Sequence, residues 1–171
     1  MKIFIIGGKA RSGKTTLKNF LKEELKDKKV LELMFAKYIK DYAKNYFNWD
    51  GKEETKPREL LQTLGTDIIR VKLNKPFFMI NRVIEDIEIL SIFFDIAIID
   101  DARTIEEIES IKNKFENVTS IKLIREVENN LTETEKKHHT EIGLDNYNNF
   151  DYIFKNNKSL EDLKNFAKEI I

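Results

Sequence analysis

The stretch Gly8-Lys9-Ala10-Arg11-Ser12-Gly13-Lys14-Thr15 decides the fold of this chain. It matches the pattern G-x-x-x-x-G-K-[ST] at every fixed position, and it stands between an apolar run at residues 2–6 and a helical pattern at residues 14–28. A glycine-bearing turn between a strand and a helix points backbone N–H groups inward and adds the positive end of the helix dipole. Three of the six glycines fall within residues 7–13. The motif therefore predicts a phosphate-binding loop.

The side chains of this loop predict which ligand it takes. Lys14 is expected to reach the β- and γ-phosphates of ATP, and the Thr15 hydroxyl is expected to ligate Mg²⁺. Arg11 is a second cation in the same loop. The residues predicted to bind the nucleotide here are Gly8, Arg11, Ser12, Gly13, Lys14, Thr15 and Thr16.

The rest of the chain alternates predicted strands with predicted helices. Strands are expected near residues 30–35, 95–99, 118–124 and 151–154 in addition to the first one. Strands separated by helices pair in parallel through right-handed crossovers. We therefore predict one domain over residues 1–171, an α/β protein with the three-layer α/β/α P-loop NTPase fold and a five-stranded parallel sheet.

The composition argues against several other classes of protein. The 171 residues carry 30 basic and 30 acidic side chains, so no nucleic-acid partner is expected. The absence of cysteine excludes a disulfide scaffold and a thiolate metal site. The longest apolar run, residues 89–99, contains Asp95 and is shorter than the ~20 residues of a membrane span. With no signal peptide after Met1, we expect a cytoplasmic protein without a membrane partner.

Two carboxylates close the third predicted strand. Asp100 and Asp101 follow the apolar residues 96–99. Ligands of open parallel sheets bind at the carboxyl ends of the strands, and a carboxylate there can hold the water shell of Mg²⁺ beside Thr15. Both aspartates are candidates for the metal site, and spacing alone does not decide between them.

Other motifs lie outside the phosphate loop. Residues 58–67 have the pattern R-E-L-L-Q-T-L-G-T-D, Asp101-Ala102-Arg103 is followed by Glu107, and residues 138–141 contain His138, Thr140 and Glu141. Phe35-Ala36 is followed by Lys40, and a strand and a capped helix close the chain from residue 151. Over nearly the whole chain these features resemble the deoxynucleoside monophosphate kinases of phages and some bacteria. The family's motifs are R-x-L-x-Q-x-L-G-T-D, D-x-R-x-x-x-E and H-x-[ST]-E.

The resemblance implies a nucleoside monophosphate kinase-like fold that transfers a phosphoryl group from ATP, with Mg²⁺, to a (deoxy)nucleoside monophosphate. It implies a helical acceptor-binding region at residues 36–93 and a lid at residues 126–149 that would close over ATP. The implied catalytic residues are Lys14, Arg11, Asp101 and Arg103. Arg125 and Asn156 would bind ATP together with the phosphate loop. The residues implied to bind the acceptor are Lys37, Arg58, Gln62, Thr66, Asp67, Arg70, Arg103, Glu107, His138 and Glu141.

The implied metal ligands are Thr15, Asp100 and Asp101. The D-x-R register implies that replacing Asp101 would reduce activity more than replacing Asp100. Small-molecule nucleotides are the expected partners, and a homodimer is left open.

Alternatives to these interpretations stay open. Another small-molecule P-loop kinase, such as one acting on dephospho-coenzyme A, would share the fold but lack the helix at residues 58–67. A nucleotide-binding regulator would need neither that helix nor a lid. Glu107 would also complete a capping box with Thr104, and the polar side chains from Arg58 to Arg70 would also suit a solvated helix face.

Overall fold

The computed structural model describes residues 1–125 and 143–171, and this part of the chain forms one sheet with helices on both faces. The strands are β1 (Lys2–Gly7), β2 (Val30–Leu33), β3 (Ile96–Ala102), β4 (Val118–Ile124) and β5 (Tyr152–Lys155). They lie in the order β2-β3-β1-β4-β5, and each neighbouring pair is parallel. The predicted five-stranded parallel sheet is confirmed.

The helices form the two outer layers. They are α1 (Lys14–Glu24), α2 (Lys37–Tyr46), α3 (Arg58–Gln62), a π-helix (Thr63–Lys72), α4 (Phe78–Leu90), α5 (Ile105–Lys114) and α6 (Leu160–Glu169). Because side chains alternate along a strand, Phe4 and Ile6 of β1 pack in the cluster that includes α1 and α6. Ile3 and Ile5 pack in the other cluster, which includes α2, α4 and α5.

Strand β1 lies at the centre of the sheet and positions the site. Its last residue, Gly7, pairs with Ala102 of β3 on one side and with Lys122 of β4 on the other. The chain then leaves the sheet and enters α1 at Lys14. In a parallel sheet the crevice at the carboxyl ends of the central strands is where ligands bind. The phosphate loop therefore opens into this crevice.

The helix that starts at Arg58 departs from the predicted α-helical geometry. After Gln62 the chain continues as a π-helix to Lys72, and the N–H of Leu73 donates to the carbonyl of Ile68 five residues back. Side chains beyond Gln62 therefore no longer follow the 3.6-residue period of an α-helix. π-Helical segments are rare and are often found at functional sites.

Residues 143–150 pack onto the carboxyl edge of the sheet. Leu144 and Tyr147 are buried in the same core as Ile3 and Ile5. The Lys122 ammonium donates to the carbonyl oxygens of Leu144 at 2.6 Å and Tyr147 at 3.2 Å. The C-terminal part of the predicted lid is thus built into the domain, and residues 126–142 lie outside the described residues. Within the described ranges, no helix is both long and apolar enough to cross a membrane.

Candidate active site

The phosphate loop has a backbone that two of its glycines make possible. Gly8 and Gly13 have φ of 143° and 102°, a region that side chains disfavour. A Cβ atom on Gly8 would lie 2.4 Å from the carbonyl oxygen of Leu123, and one on Gly13 would lie 2.3 Å from Nδ2 of Asn156. The loop is therefore held tightly between β4 and the residue that follows β5.

Asn156 and Ser12 fix the inner wall of the loop. The Asn156 amide Nδ2 donates to the carbonyl of Ser12 at 2.9 Å, and both side chains are buried. Within the described part of the chain, the Ser12 hydroxyl is the buried side-chain group without a hydrogen-bond partner. Buried hydroxyls almost always have one. An unsatisfied hydroxyl inside a glycine-bounded loop at a helix N-terminus fits a loop that receives phosphate oxygens.

Lys14 lies across this loop. Its ammonium donates to the carbonyl oxygens of Gly8 at 2.8 Å and Lys9 at 2.7 Å, and the residue is only 8% exposed. The buried Lys14 ammonium therefore lies where the motif predicts the phosphates. Thr15 is exposed on the first turn of α1, Thr16 is half-buried beside it, and Arg11 is exposed with a left-handed φ of 61°.

The two aspartates of β3 have different partners. Asp100 is buried, and its Oδ2 atom forms an ion pair with the Lys18 ammonium of α1 at 2.9 Å. Burial disfavours the charged Lys18, but its hydrogen bonds with Asp100 and Glu32, together with the negative charges of these two residues, outweigh that effect and raise its pKa. Asp100 therefore faces the helix that carries Thr15.

Asp101 instead holds the segment that follows β2. Its Oδ1 and Oδ2 atoms accept the backbone N–H groups of Phe35 at 2.9 Å and Ala36 at 3.0 Å. Desolvation raises the pKa of Asp101 despite these bonds. Since both oxygens accept backbone N–H groups, Asp101 joins the end of β3 to the start of α2. Asp100, which pairs with Lys18 of α1, is the carboxylate on the side of the phosphate loop.

Glu107 joins three parts of the site. It forms the predicted capping box with Thr104 at the start of α5. Its Oε2 atom also accepts the backbone N–H of Arg103 at 2.7 Å, and its Oε1 atom lies 3.5 Å from Nη2 of Arg70. Burial, together with the nearby charge of Asp101, raises the pKa of Glu107 to about 7. Glu107 therefore caps α5 and also contacts the π-helix through Arg70.

Other residues predicted to bind the acceptor are spread over α3 and the π-helix. Arg58 is exposed, forms an ion pair with Glu53 at 3.3 Å and helps line an open groove of about 470 Å³ at the start of α3. Thr66 is half-buried on the π-helix, whereas Gln62 and Asp67 are exposed. The other residues lining that groove are Pro57, Glu59, Leu60 and Thr63.

Lys37 and Arg125 are the remaining predicted site residues within the described part of the chain. Lys37 forms an ion pair with Asp86 of α4 at 3.0 Å, and Asp86 also accepts a hydrogen bond from the Tyr38 hydroxyl at 2.9 Å. Lys37 therefore joins α2 to α4. Arg125 is exposed immediately after β4. His138 and Glu141 lie outside the described residues.

Two lysines at the cleft were not predicted as site residues. Lys18 stands one helical turn after Lys14 and pairs with Asp100, a contact that only the folded sheet brings about. Lys40 stands one turn into α2. Phe35-Ala36 followed by Lys40 belongs to the family resemblance, but the sequence assigns no role to Lys40.

The donor groups suit Mg²⁺ better than a metal held by protein side chains alone. Over residues 1–125 and 143–171, no group of three or more histidine, aspartate or glutamate residues could hold a metal ion. Mg²⁺ usually takes one or two protein oxygen ligands and fills its other positions with water and substrate phosphates. The Thr15 hydroxyl and the Asp100 carboxylate, both on the α1 side of the sheet, fit that pattern.

Comparisons with known proteins agree with this architecture. The family model described as deoxynucleotide monophosphate kinase matches residues 44–166. A sugar kinase from Janibacter has a TM-score of 0.57 at 11% identity, over 99% of this chain and 93% of that one. Shikimate kinase from Aquifex aeolicus has a TM-score of 0.52 at 18% identity, again over 99% and 93%. These structures confirm the fold class and, at such identities, nothing beyond it. No curated protein matches the sequence.

Proposed function

Because this chain belongs to the deoxynucleotide monophosphate kinase family, we propose that it transfers the γ-phosphoryl group of ATP to a (deoxy)nucleoside monophosphate. The family and the fold support phosphoryl transfer by a small-molecule kinase. One observation carries the finer assignment. The family match begins at residue 44, beyond the phosphate loop, so it rests on the acceptor helices and the later strands and not on the general nucleotide motif.

The reaction requires positions and charges more than covalent chemistry. The bond between the γ-phosphorus and the oxygen that bridges it to the β-phosphate breaks, and a phosphate oxygen of the acceptor forms the new bond. The products are ADP and the nucleoside diphosphate. The acceptor phosphate is already anionic, so no general base is needed. The protein must hold the two reactants in line and surround the transferring group with cations.

The donor half of the site is the phosphate loop. Its backbone N–H groups and the Ser12 hydroxyl would receive phosphate oxygens, and the buried Lys14 ammonium would exchange its bonds to the Gly8 and Lys9 carbonyls for bonds to phosphate. Asn156 keeps the loop in shape through the Ser12 carbonyl. Thr15 and Asp100 would hold Mg²⁺, which when bound neutralises phosphate charge.

The acceptor half is formed by the helix that starts at Arg58 and by the end of β3. Arg58, at the groove of about 470 Å³, offers a planar fork suited to phosphate. Arg103, which follows β3, would contact the acceptor phosphate or the group in transfer. Glu107 holds the backbone of Arg103 and faces Arg70. These contacts support an acceptor site formed jointly by the end of β3 and the helix that starts at Arg58.

A coupled assay of ADP formation tests the proposal. The purified protein is mixed with Mg²⁺ and ATP and then with each common ribonucleoside and deoxyribonucleoside monophosphate in turn. We expect ADP formation to depend on at least one monophosphate. ATP turnover that no monophosphate stimulates would contradict the proposal and favour the regulator. A response to another small molecule alone would favour a different small-molecule kinase.

A further inference from the structure

Lys40 lies at the junction between the two halves of the cleft. Its backbone N–H donates to the carbonyl of Ala36 at 3.0 Å, so it stands one helical turn from Ala36. The N–H of Ala36 in turn donates to Oδ2 of Asp101 at 3.0 Å. Lys40 is thereby fixed relative to the end of β3, and its side chain is half-buried.

The Lys40 ammonium has unused hydrogen-bonding capacity. Within the described residues, its hydrogen bond goes to the thioether sulfur of Met34 at 3.3 Å, and no carboxylate lies within the 4.0 Å of an ion pair. A thioether is a weak acceptor, whereas an ammonium group has three donors. Lys18 and Lys37, in contrast, each have an aspartate partner. Among residues 1–125 and 143–171, Lys40 is thus a half-buried cation without a strong acceptor.

Charged groups from two parts of the fold act on the Lys40 ammonium. Burial lowers the pKa of the ammonium, while the charges of Asp101, Asp100 and Glu53 favour its protonated form and that of Lys56 opposes it. The two aspartates end β3, whereas Glu53 and Lys56 precede the helix that starts at Arg58. The ammonium is therefore within electrostatic range of the end of β3 and of the segment that precedes the helix starting at Arg58.

We propose that Lys40 binds the phosphate monoester of the acceptor, as a residue that determines specificity for phosphorylated acceptors. The proposal rests on the proposed function and adds a residue to it. Two anionic phosphates must approach each other before transfer, and a cation between them reduces their repulsion. A half-buried ammonium acts more strongly than an exposed one, because water screens it less. Arg58 is 54% exposed and already pairs with Glu53.

The test compares Lys40→Met with Lys44→Met, a control one turn further along α2. Methionine keeps an unbranched apolar stem and removes the charge. Lys44 is exposed, and its ammonium lies over the Trp49 ring at 5.7 Å. The probes are the deoxynucleoside monophosphate that stimulates ADP formation most and, separately, ATP with Mg²⁺. Their Kd values are measured by calorimetry, and thermal unfolding verifies that each variant is folded.

We expect Lys40→Met to raise the Kd for the monophosphate about tenfold or more, the loss typical of one charge-assisted hydrogen bond. The Kd for ATP should change less than about twofold, and Lys44→Met should leave both values unchanged. Lys40→Arg keeps the charge and should recover part of the affinity. This separates loss of the cation from altered packing.

The outcomes distinguish this inference from the proposed function. A Lys40→Met protein that binds the monophosphate as wild type does overturns the role of Lys40 and leaves the kinase intact. An equal loss for ATP and the monophosphate, or no recovery in Lys40→Arg, also overturns it. A wild-type protein that binds no monophosphate overturns the proposed function and the role of Lys40 together.

Discussion

The backbone N–H of Arg103 donates to the carboxylate of Glu107 at 2.7 Å, in the turn between β3 and α5. The same carboxylate caps α5 and lies 3.5 Å from the Arg70 guanidinium. One buried side chain thus fixes the backbone of a predicted phosphate-binding arginine and joins it to the π-helix. The stability of this part of the site should therefore depend on the charge of Glu107.

Glu107→Gln should change how stability depends on pH. Folding raises the pKa of Glu107 from its ordinary 4.5 to about 7, so the native state binds this proton more tightly than the unfolded state does. The resulting stabilisation is complete below about pH 4.5 and is lost as the pH rises through 7, by up to roughly 3 kcal/mol. The variant lacks this titration, so its stability relative to wild type should be greater at pH 8 than at pH 5.

Urea unfolding of both proteins at pH 5, 6, 7 and 8 measures that difference. Glutamine retains an oxygen that can accept the Arg103 and Thr104 amides, so the capped turn should survive the change. Curves for the two proteins that run parallel from pH 5 to pH 8 would show that Glu107 does not titrate in this range.

Lys14→Ala should remove phosphoryl transfer while the fold persists. The ammonium bonds loop carbonyls and does not belong to either apolar core. Loss of one preorganised cation from the transition state should lower kcat by ~10³-fold or more. Steady-state kinetics measure the loss, with circular dichroism to verify folding. Activity within about tenfold of wild type would exclude a catalytic role for this lysine.

Asp100→Asn and Asp101→Asn should affect different properties. The D-x-R register alone makes Asp101 the costlier of the two, whereas the contacts favour Asp100 at the metal, because Asp101 binds the Phe35 and Ala36 amides. We expect Asp100→Asn to shift the Mg²⁺ dependence of kcat to higher concentrations. Asp101→Asn should chiefly lower the unfolding temperature. A Mg²⁺ titration and thermal unfolding of both variants measure these effects, and an unchanged Mg²⁺ dependence in both would remove the aspartates from the metal site.

Arg58→Lys should raise the KM for the monophosphate severalfold and leave the KM for ATP almost unchanged. Lysine keeps the charge but loses the bidentate fork. Arg82→Lys is the matched control, since Arg82 is also a partly exposed arginine that pairs with a glutamate, Glu85, at 2.6 Å. Surface ion pairs contribute little, so the control should behave as wild type. Equal kinetics for the two variants would mean that Arg58 is only an ion-pair partner.

The sequence predicts well those features that depend on neighbouring residues. The phosphate loop between Gly8 and Thr15 is local, because its glycines and the adjoining strand and helix patterns determine its geometry. The capping box of Thr104 and Glu107 is local for the same reason. Both are found where the patterns place them.

Two features that depend on distant contacts were not predicted. The sequence of the π-helix has the pattern of an ordinary α-helix. Gly65 in this helix is buried against Ile39 and Met79, so the neighbouring helices pack closely there. The Lys18–Asp100 ion pair joins α1 to β3 across the folded sheet. A linear pattern carries no signal for such pairs, since either residue alone would suit a solvated surface.

The fate of the γ-phosphoryl group tests the central claim most directly. The protein is incubated with Mg²⁺, ATP labelled in its γ-phosphate and the monophosphate that best stimulates ADP formation, and the labelled products are separated. We expect the label in the β-phosphate of the nucleoside diphosphate, and no such product with Lys14→Ala. Label that appears only as inorganic phosphate, at a rate that the monophosphate does not change, would contradict the assignment of this chain as a nucleoside monophosphate kinase.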